Sequence, residues 1–383
     1  WSLLTGFSRE IAHRDSLSIR IKRVLVRDVN KTRACGVPHE LLTTNADDVV
    51  SDPEISIVVE FMGGEQPATD YMLRALENGK TVVTANKVAI ALNWHRLQAA
   101  AQRNHVGLYY EASVCGAIPI INTLMQPLQA NRIDSLMGII NGTTNYILSR
   151  MYPSADVEGL DAAYKLSIMA SLAFHARVPF SKVYREGITK ITAVDIAYAR
   201  EMGYVLKLLA IAKRSGSTIE VRVHPTLIAN DHPLSQVNGS FNAVYLHGHA
   251  CKEMMLQGRG AGDLPTASAV GDILHAATVD VHVHPTFVNS ANADASLVFT
   301  NDWKTRYFLR LSIQDEPGSL AKIATWLSSE QVSIATMMQK AELAGSRVPL
   351  IIITHEANEQ AIRAALAKFD PEVCTVENMI RVE

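Results

Sequence analysis

ISIVVEFMGGEQPATDYMLRALENGKTVVTANK, residues Ile55–Lys87, carries the pattern on which the fold turns. Ile55–Phe61 is a compact apolar, β-branched run and reads as a strand. Tyr71–Asn78 reads as a helix, Gly79 punctuates it, and Thr81–Thr84 is a second short strand. The alternation continues on both sides. Arg20–Arg27 reads as a strand before it, and Trp94–Asn104 (helix) and Gly107–Glu111 (strand) follow it. Short apolar strands separated by helices predict a parallel α/β sheet with helices on both faces.

A chain of 383 residues is long enough for two or three domains. With 48% hydrophobic and 19% charged residues, its balance is that of a globular protein. A net charge of −2 offers no electrostatic footprint for nucleic acid or for an anionic membrane. No apolar run is long enough to span a bilayer, and Trp1–Arg14 is amphipathic, unlike a secretory leader. Cys35, Cys115, Cys251 and Cys374 are scattered with no CxxC pair. A disulfide framework and a structural zinc are therefore not expected, and a reducing cytoplasm is. Cys115 reads as a small buried hydrophobe rather than a nucleophile.

Beyond the parallel layer, Gly159–Phe174 and Ala193–Lys213 read as helices. Glu220–Leu227, Ala243–Gly248 and Cys251–Leu256 read as strands of an antiparallel sheet, and Thr266–Ala276 as a helix after the glycine-rich turn Gly258–Gly262. Val281–Lys304, rich in Asn, Asp and Ser, reads as a linker or long loop. From Arg306 to Glu383 the order is strand, helix, strand, strand, helix, strand, a ferredoxin-like βαββαβ module. Two seams break the pattern. The chain opens inside what reads as the helix after a first strand, with no GxGxxG before it. The helical run Asn145–Tyr152 meets Pro153 directly, although proline disfavours a helical residue before it. The expectation is that the sequence omits stretches of the full protein at both seams.

Several segments can carry chemistry. Lys87 lies just past a strand end, where open α/β sheets bind ligands; it fits a phosphate or carbonyl site as well as a solvated surface. Arg27 and Lys31 suit a ribose 2′-phosphate and Asp28 a free 2′-hydroxyl, which leaves NADP and NAD both open. Glu111 precedes a small-residue loop whose carbonyls, with one carboxylate, suit a hard cation. On pattern alone a Glu111 that caps backbone amides is favoured. Asn141–Asn145 is a polar turn at a helix start, suited to a carboxylate or to plain N-capping. Asp161 and Lys165 lie four apart on one helix face, at the edge of an apolar stripe. A lysine partly withdrawn from water there can exchange protons with a substrate.

The runs GKTVVTANK, EASVCGAIPII, GIINGTTNYIL, DVEGLDAAYKL, EGITKIT, HPTLI and GRGAGDLPTASAV, in this order between Val24 and Ala277, resemble bacterial homoserine dehydrogenase. The block after them resembles an ACT domain. This resemblance implies a Rossmann-like dinucleotide-binding domain over 1–121, completed by a helix within 262–280. It implies an α+β catalytic and dimerisation domain over 122–296 and an ACT regulatory domain over 306–383. It implies NAD(P)-dependent interconversion of aspartate 4-semialdehyde and homoserine. Lys165 matches the catalytic lysine, Asp161 an orienting and substrate-binding acid, and Asp156 a supporting acid. Lys87 matches a lysine shared by cofactor and substrate, and Gly142 and Thr143 a substrate-contacting turn. Gly63 and Gly262, with Arg27, fall at cofactor positions. Glu111, Val114, Gly116 and Ile118 match a sodium site in which only Glu111 uses its side chain. An amino-acid effector, threonine, and a homodimer or homotetramer are implied as well. Two departures fall at the seams: no glycine-rich dinucleotide turn precedes the first strand, and Arg150 stands where a substrate-binding glutamate is expected. The rival readings are a catalytically silent amino-acid sensor of the same fold and a semialdehyde dehydrogenase using Cys115.

Overall fold

The computed structural model describes residues 1–383 apart from 7, 34, 151–157, 267–268, 280–295 and 340–346. Asp156 and the Tyr152–Pro153 seam lie outside the described residues.

The first layer begins with two short helices, α1 (Ser2–Gly6) and α2 (Ser8–Asp15). Strand β1 (Val24–Leu25) pairs in parallel with β2 (Leu42–Thr43), and α3 (Asp47–Val50) follows. The strand expected over Arg20–Arg27 is thus far shorter: only Val24 and Leu25 pair with a neighbouring strand, and Lys22 before them forms an ion pair with Asp52 at 2.6 Å. Next come β3 (Ile57–Glu60), α4 (Ala68–Glu77), β4 (Thr81–Thr84), α5 (Lys87–Arg103) and β5 (Leu108–Tyr109). The three strands form a parallel sheet in the order β3-β4-β5. Every residue of β4 is buried, which is why TVVT shows no polar alternation.

Helix α6 (Ile120–Met125) leads to the second layer. Its elements are β6 (Ile133–Ile139), α7 (Gly142–Arg150), α8 (Leu160–Ala173), β7 (Tyr184–Arg185), α9 (Ala193–Glu201), β8 (Tyr204–Ser215), β9 (Thr218–Ala229), β10 (Phe241–Gly248) and β11 (Lys252–Arg259). The sheet runs β11-β10-β6-β8-β9, antiparallel throughout. One face, with Leu136, Val244 and Leu246, packs on α8. The other carries Ile139, Leu209, Ile211 and Ala243, and runs out into half-buried Met137, Tyr245 and Met255.

One expectation fails here. The helix expected over Ala193–Lys213 stops at Glu201; Gly203 takes a left-handed φ of 84°, and Tyr204 opens a strand. Residues 206–212 are buried without a break. A strand covered on both faces has the same unbroken apolar run as a buried helix, so periodicity could not separate them.

The chain then returns to the first layer. Helices α10 (Asp263–Thr266) and α11 (Ala269–Thr278) bring Ile273 and Ala276 against Ile57 and Val83 of the parallel sheet. The last unit holds β12 (Val298–Phe299), β13 (Lys304–Gln314), α12 (Ser319–Ser329), β14 (Ile334–Gln339), β15 (Arg347–Thr354), β16 (Ala357–Asn358), α13 (Glu359–Leu366) and β17 (Cys374–Val382). Its sheet order is β17-β13-β15-β14, over a core of its own under α12 and α13. Part of the stretch read as a linker is structured: β12 pairs with β9, and Trp303 is buried. Arg381 and Val382 of β17 pair in parallel with Thr226 and Leu227 of β9, so the second and third units share one sheet.

Candidate active site

Three side chains meet where the first two layers face each other. Helix α8 is buried along almost its whole length, and its first turns present Asp161 and Lys165 on one side. Lys165 Nζ lies 2.7 Å from Asp161 Oδ2 and donates to the Ile140 carbonyl at 2.9 Å. Lys87, the first residue of α5 in the parallel layer, places Nζ 2.9 Å from the other carboxylate oxygen of Asp161. One carboxylate therefore bridges two ammonium groups from two layers. Burial opposes ionisation of Asp161, yet the two lysines outweigh it and hold its carboxyl below the usual range. The Lys165 side chain is 9% exposed and that of Lys87 37%, so one is sealed and the other open to a ligand.

The polar turn completes this wall. The Asn141 side chain donates to Asp161 Oδ2 at 3.2 Å and accepts the Thr144 N–H at 2.9 Å, capping α7. A Cβ at Gly142 would stand 2.9 Å from the Ser240 carbonyl, so only glycine lets the turn sit there. Thr143 is exposed beside it.

The carboxyl ends of β3 and β4 form the opposite rim. Glu60, buried at the end of β3, accepts the N–H groups of Met62 (2.6 Å) and Gly63 (3.2 Å) and the Thr84 hydroxyl (2.5 Å). Asn86 donates to the Gly64 carbonyl at 2.7 Å and caps α5 through Ala89. Gly63 and Gly64 both take left-handed φ with open space where a Cβ would stand, a bare backbone cradle that fits a dinucleotide. Glu60 escaped the sequence reading; its one signal was an acid closing an apolar strand. Arg27 is exposed past the end of β1. Gly262, at φ 117°, lies in the turn before α10 on the returning segment. Arg27, Gly63 and Gly262 thus come from three separate segments of the parallel layer and the helices that return to it.

Glu111 lies on the outgoing crossing between the layers, in a short 3-10 turn rather than in the expected strand. Its two oxygens accept the Ile121 and Asn122 N–H groups at 2.8 and 2.7 Å, the amide-capping arrangement that pattern alone favoured. Its own N–H donates to Asp272 Oδ2 of α11 at 3.0 Å. Burial pushes the Glu111 carboxyl up to about 7 against the pull of those amides, and pushes Asp272 up to about 6. Both line a cavity of about 400 Å³ with Asn122, Gln126 and His275. Among the described residues no group of three or more His, Cys, Asp or Glu is arranged to hold a metal, so a cation here would rely on carbonyls. Val114, Gly116 and Ile118 lie along the same crossing, where Gly116 packs against the Gly260 carbonyl of the return. Cys115 is fully buried and burial pushes its thiol up to about 11, which removes it as a nucleophile at neutral pH.

A parallel α/β layer with a bare glycine turn at its strand ends, faced by a sealed lysine–carboxylate pair, is the build of a two-domain dinucleotide-dependent oxidoreductase. The family model "Homoserine dehydrogenase, NAD binding domain" matches residues 5–111, and "Homoserine dehydrogenase" matches 119–154 and 152–274, two segments that meet at the Tyr152–Pro153 seam. Homoserine dehydrogenase of Corynebacterium glutamicum is 39% identical over all of this chain and 92% of its own length. The crystal structure of a homoserine dehydrogenase from Thiobacillus denitrificans superposes with a TM-score of 0.90 at 39% identity, covering 100% of this chain and 94% of that one. A hyperthermophilic archaeal homoserine dehydrogenase in complex with NADPH matches 62% of this chain and 76% of its own, with 25% identity and a TM-score of 0.54. The chain belongs to the homoserine dehydrogenase family and is an oxidoreductase with an NAD(P)-binding domain. Among the described residues no helix is long and apolar enough to cross a membrane.

Proposed function

We propose that Lys165 moves the proton between protein and substrate as homoserine and aspartate 4-semialdehyde interconvert, with Asp161 and Lys87 orienting it. The nicotinamide cofactor, when bound, gives or takes the hydride. Lys165 reaches the substrate oxygen as donor in aldehyde reduction and as acceptor in alcohol oxidation. Asp161 holds both ammonium groups and leaves the Asn141–Thr143 turn, with Asp156, to bind the amino-acid end of the substrate. The bridging of Lys165 and Lys87 by one carboxylate supports this reading above all else. Lys165→Ala should lower turnover roughly 10²–10⁴-fold, the usual contribution of a positioned acid–base group. Cofactor affinity, read by nicotinamide fluorescence, should stay within a few-fold. Near-normal turnover would remove Lys165 from the role.

The cofactor would lie along Gly63, Lys87 and Gly262, with Arg27 favouring NADP. Comparing kcat/KM with NADP and NAD in Arg27→Ala and in the native protein tests this. A sodium ion would bind Glu111 with the carbonyls of Val114, Gly116 and Ile118, and the adjacent buried Glu111 and Asp272 carboxylates give it an electrostatic reason to bind. Sodium should then raise the melting temperature at pH 8 in the native protein and not in Glu111→Gln. The βαββαβ unit at the C-terminus reads as an ACT domain sensing an amino acid, threonine. Flat activity across a threonine titration of the full chain would overturn that. The half-buried Met137, Tyr245 and Met255 favour a homodimer or homotetramer through the second sheet, which sedimentation would show.

A further inference from the structure

The two crossings between the layers run side by side, and one side chain of β10 touches both of them and the site. Asn242 is 1% exposed. Its amide nitrogen donates to the Ile140 carbonyl at 3.1 Å, the same oxygen that receives Lys165 Nζ at 2.9 Å. Its amide also lies against the Cys115 thiol of the outgoing crossing. On the return, a Cβ at Gly260 would fall 1.9 Å from the Asn242 amide nitrogen, so the side chain lies flat on bare backbone. The amide oxygen of Asn242 is buried with no hydrogen-bond partner among the described residues, a cost seldom carried without a use. An apolar side chain would fill the same space without that cost.

We infer that Asn242 is a positioning residue for Lys165: it shares and fixes the Ile140 carbonyl that aims the lysine, and through Gly260 ties that aim to the returning crossing. The inference rests on the proposed role of Lys165. Asn242 touches no reacting atom. It acts by pinning the acceptor, so that the ammonium keeps its direction when Asp161 turns part of its charge to Lys87 or to substrate. The coupling to Gly260 gives it a second consequence. A change in the return segment, two residues before Gly262, moves the same amide.

The groups that bear on Lys165 are Asp161 on its own helix, Lys87 on α5 through Asp161, and the Cys115 thiol on the outgoing crossing, itself influenced by Glu111. Asn242→Ala, Asn242→Asp and Gly260→Ala should be compared with Lys165→Met in the full chain, with melting temperature confirming folding. Asn242→Ala should lose roughly tenfold or more in kcat, the scale expected when a reacting group is misaimed. KM for the cofactor should stay within twofold, a split that a merely structural loss would not give. Asn242→Asp keeps the shape but sets a carboxylate beside the ammonium, so the acid limb of homoserine oxidation should move up by about one pH unit. Gly260→Ala displaces the amide from the other side and should reproduce the kcat loss. Folded Asn242 variants with native kcat and an unmoved pH limb overturn the inference, provided Lys165→Met is inactive. If Lys165→Met is itself active, the lysine reading fails first and this inference with it. If either asparagine variant fails to fold, Gly260→Ala decides, with native kcat overturning the inference and a selective kcat loss upholding it.

Discussion

At the scale of single residues, charge and burial decide what each group does. Asp161 is the hinge of the site because it faces two cations while largely withdrawn from water. Asp161→Asn keeps the shape and removes the charge that holds both lysines. Steady-state kinetics should show kcat/KM falling about 10²-fold, in line with the loss of a charge-assisted contact in a desolvated site. Glu111 makes a different prediction. Its carboxyl sits at about 7 in the folded chain against an ordinary value of 4.5, so the folded state holds a proton that the unfolded state releases. Its contribution is fully present below about 4.5 and is lost as pH rises through about 7. In sodium-free buffer, urea unfolding should show stability falling across that window by on the order of 3 kcal/mol. Asp272, raised to about 6, adds a slope of the same sign. Glu111→Gln should flatten the larger part of it; an unchanged slope would place the effect elsewhere.

At the scale of elements, capping and burial pattern govern what the sequence reveals. Strand β4 and helix α8 were legible because a short β-branched run suits a strand, while Leu160–Ala173 is too long for an ordinary strand and is rich in helix formers. Strand β8 was not, since LLAIA, residues 208–212, is apolar at every position and both faces are covered. Helix α9 ends early for a local reason and starts for another. Thr192 and Asp195 form a reciprocal capping box at its start. Asp195, fully buried, also accepts Arg310 Nε at 2.7 Å and the Asn378 amide at 2.9 Å from the C-terminal unit. Asp195→Ala removes a cap and leaves Arg310 without its buried partner. Denaturant unfolding should show a loss of about 3–5 kcal/mol. Activity at low temperature should persist, because the residue lies at the boundary with the C-terminal unit rather than at Asp161.

At the scale of the whole molecule, the C-terminal unit is joined to the catalytic sheet by more than a linker. Two residue pairs join β17 to β9. Around them lies a sealed polar cluster: Arg381 donates to Glu359 at 2.6 Å and to Glu186 at 2.8 Å, and fully buried Arg222 pairs with Glu383. Trp303 lies under both guanidinium groups, with ring centroids 4.9 and 5.5 Å away. Deleting the unit would strip partners from Arg222, so its role is better probed by point changes in the full chain. Calorimetry should show the second and third units melting in one transition. Arg381→Ala, which takes from Glu359 one of its two arginine partners and from Glu186 its arginine, should lower that transition by several degrees or split it in two.

The sequence by itself determined the parallel layer, the pairing of Asp161 with Lys165 and the βαββαβ order of the last unit. Each follows from local rules: β-branched runs between helices, a four-residue spacing on one helical face, and turn residues at element ends. Only the tertiary structure decided that Lys87 completes the Asp161 pair, that Glu60 holds the Gly63 turn, that Asn242 shares the Ile140 carbonyl with Lys165, and that the last unit shares a sheet with the second. Those contacts join residues tens to hundreds of positions apart. They depend on how buried faces stack, and no local periodicity records which distant carbonyl or carboxylate a side chain will meet.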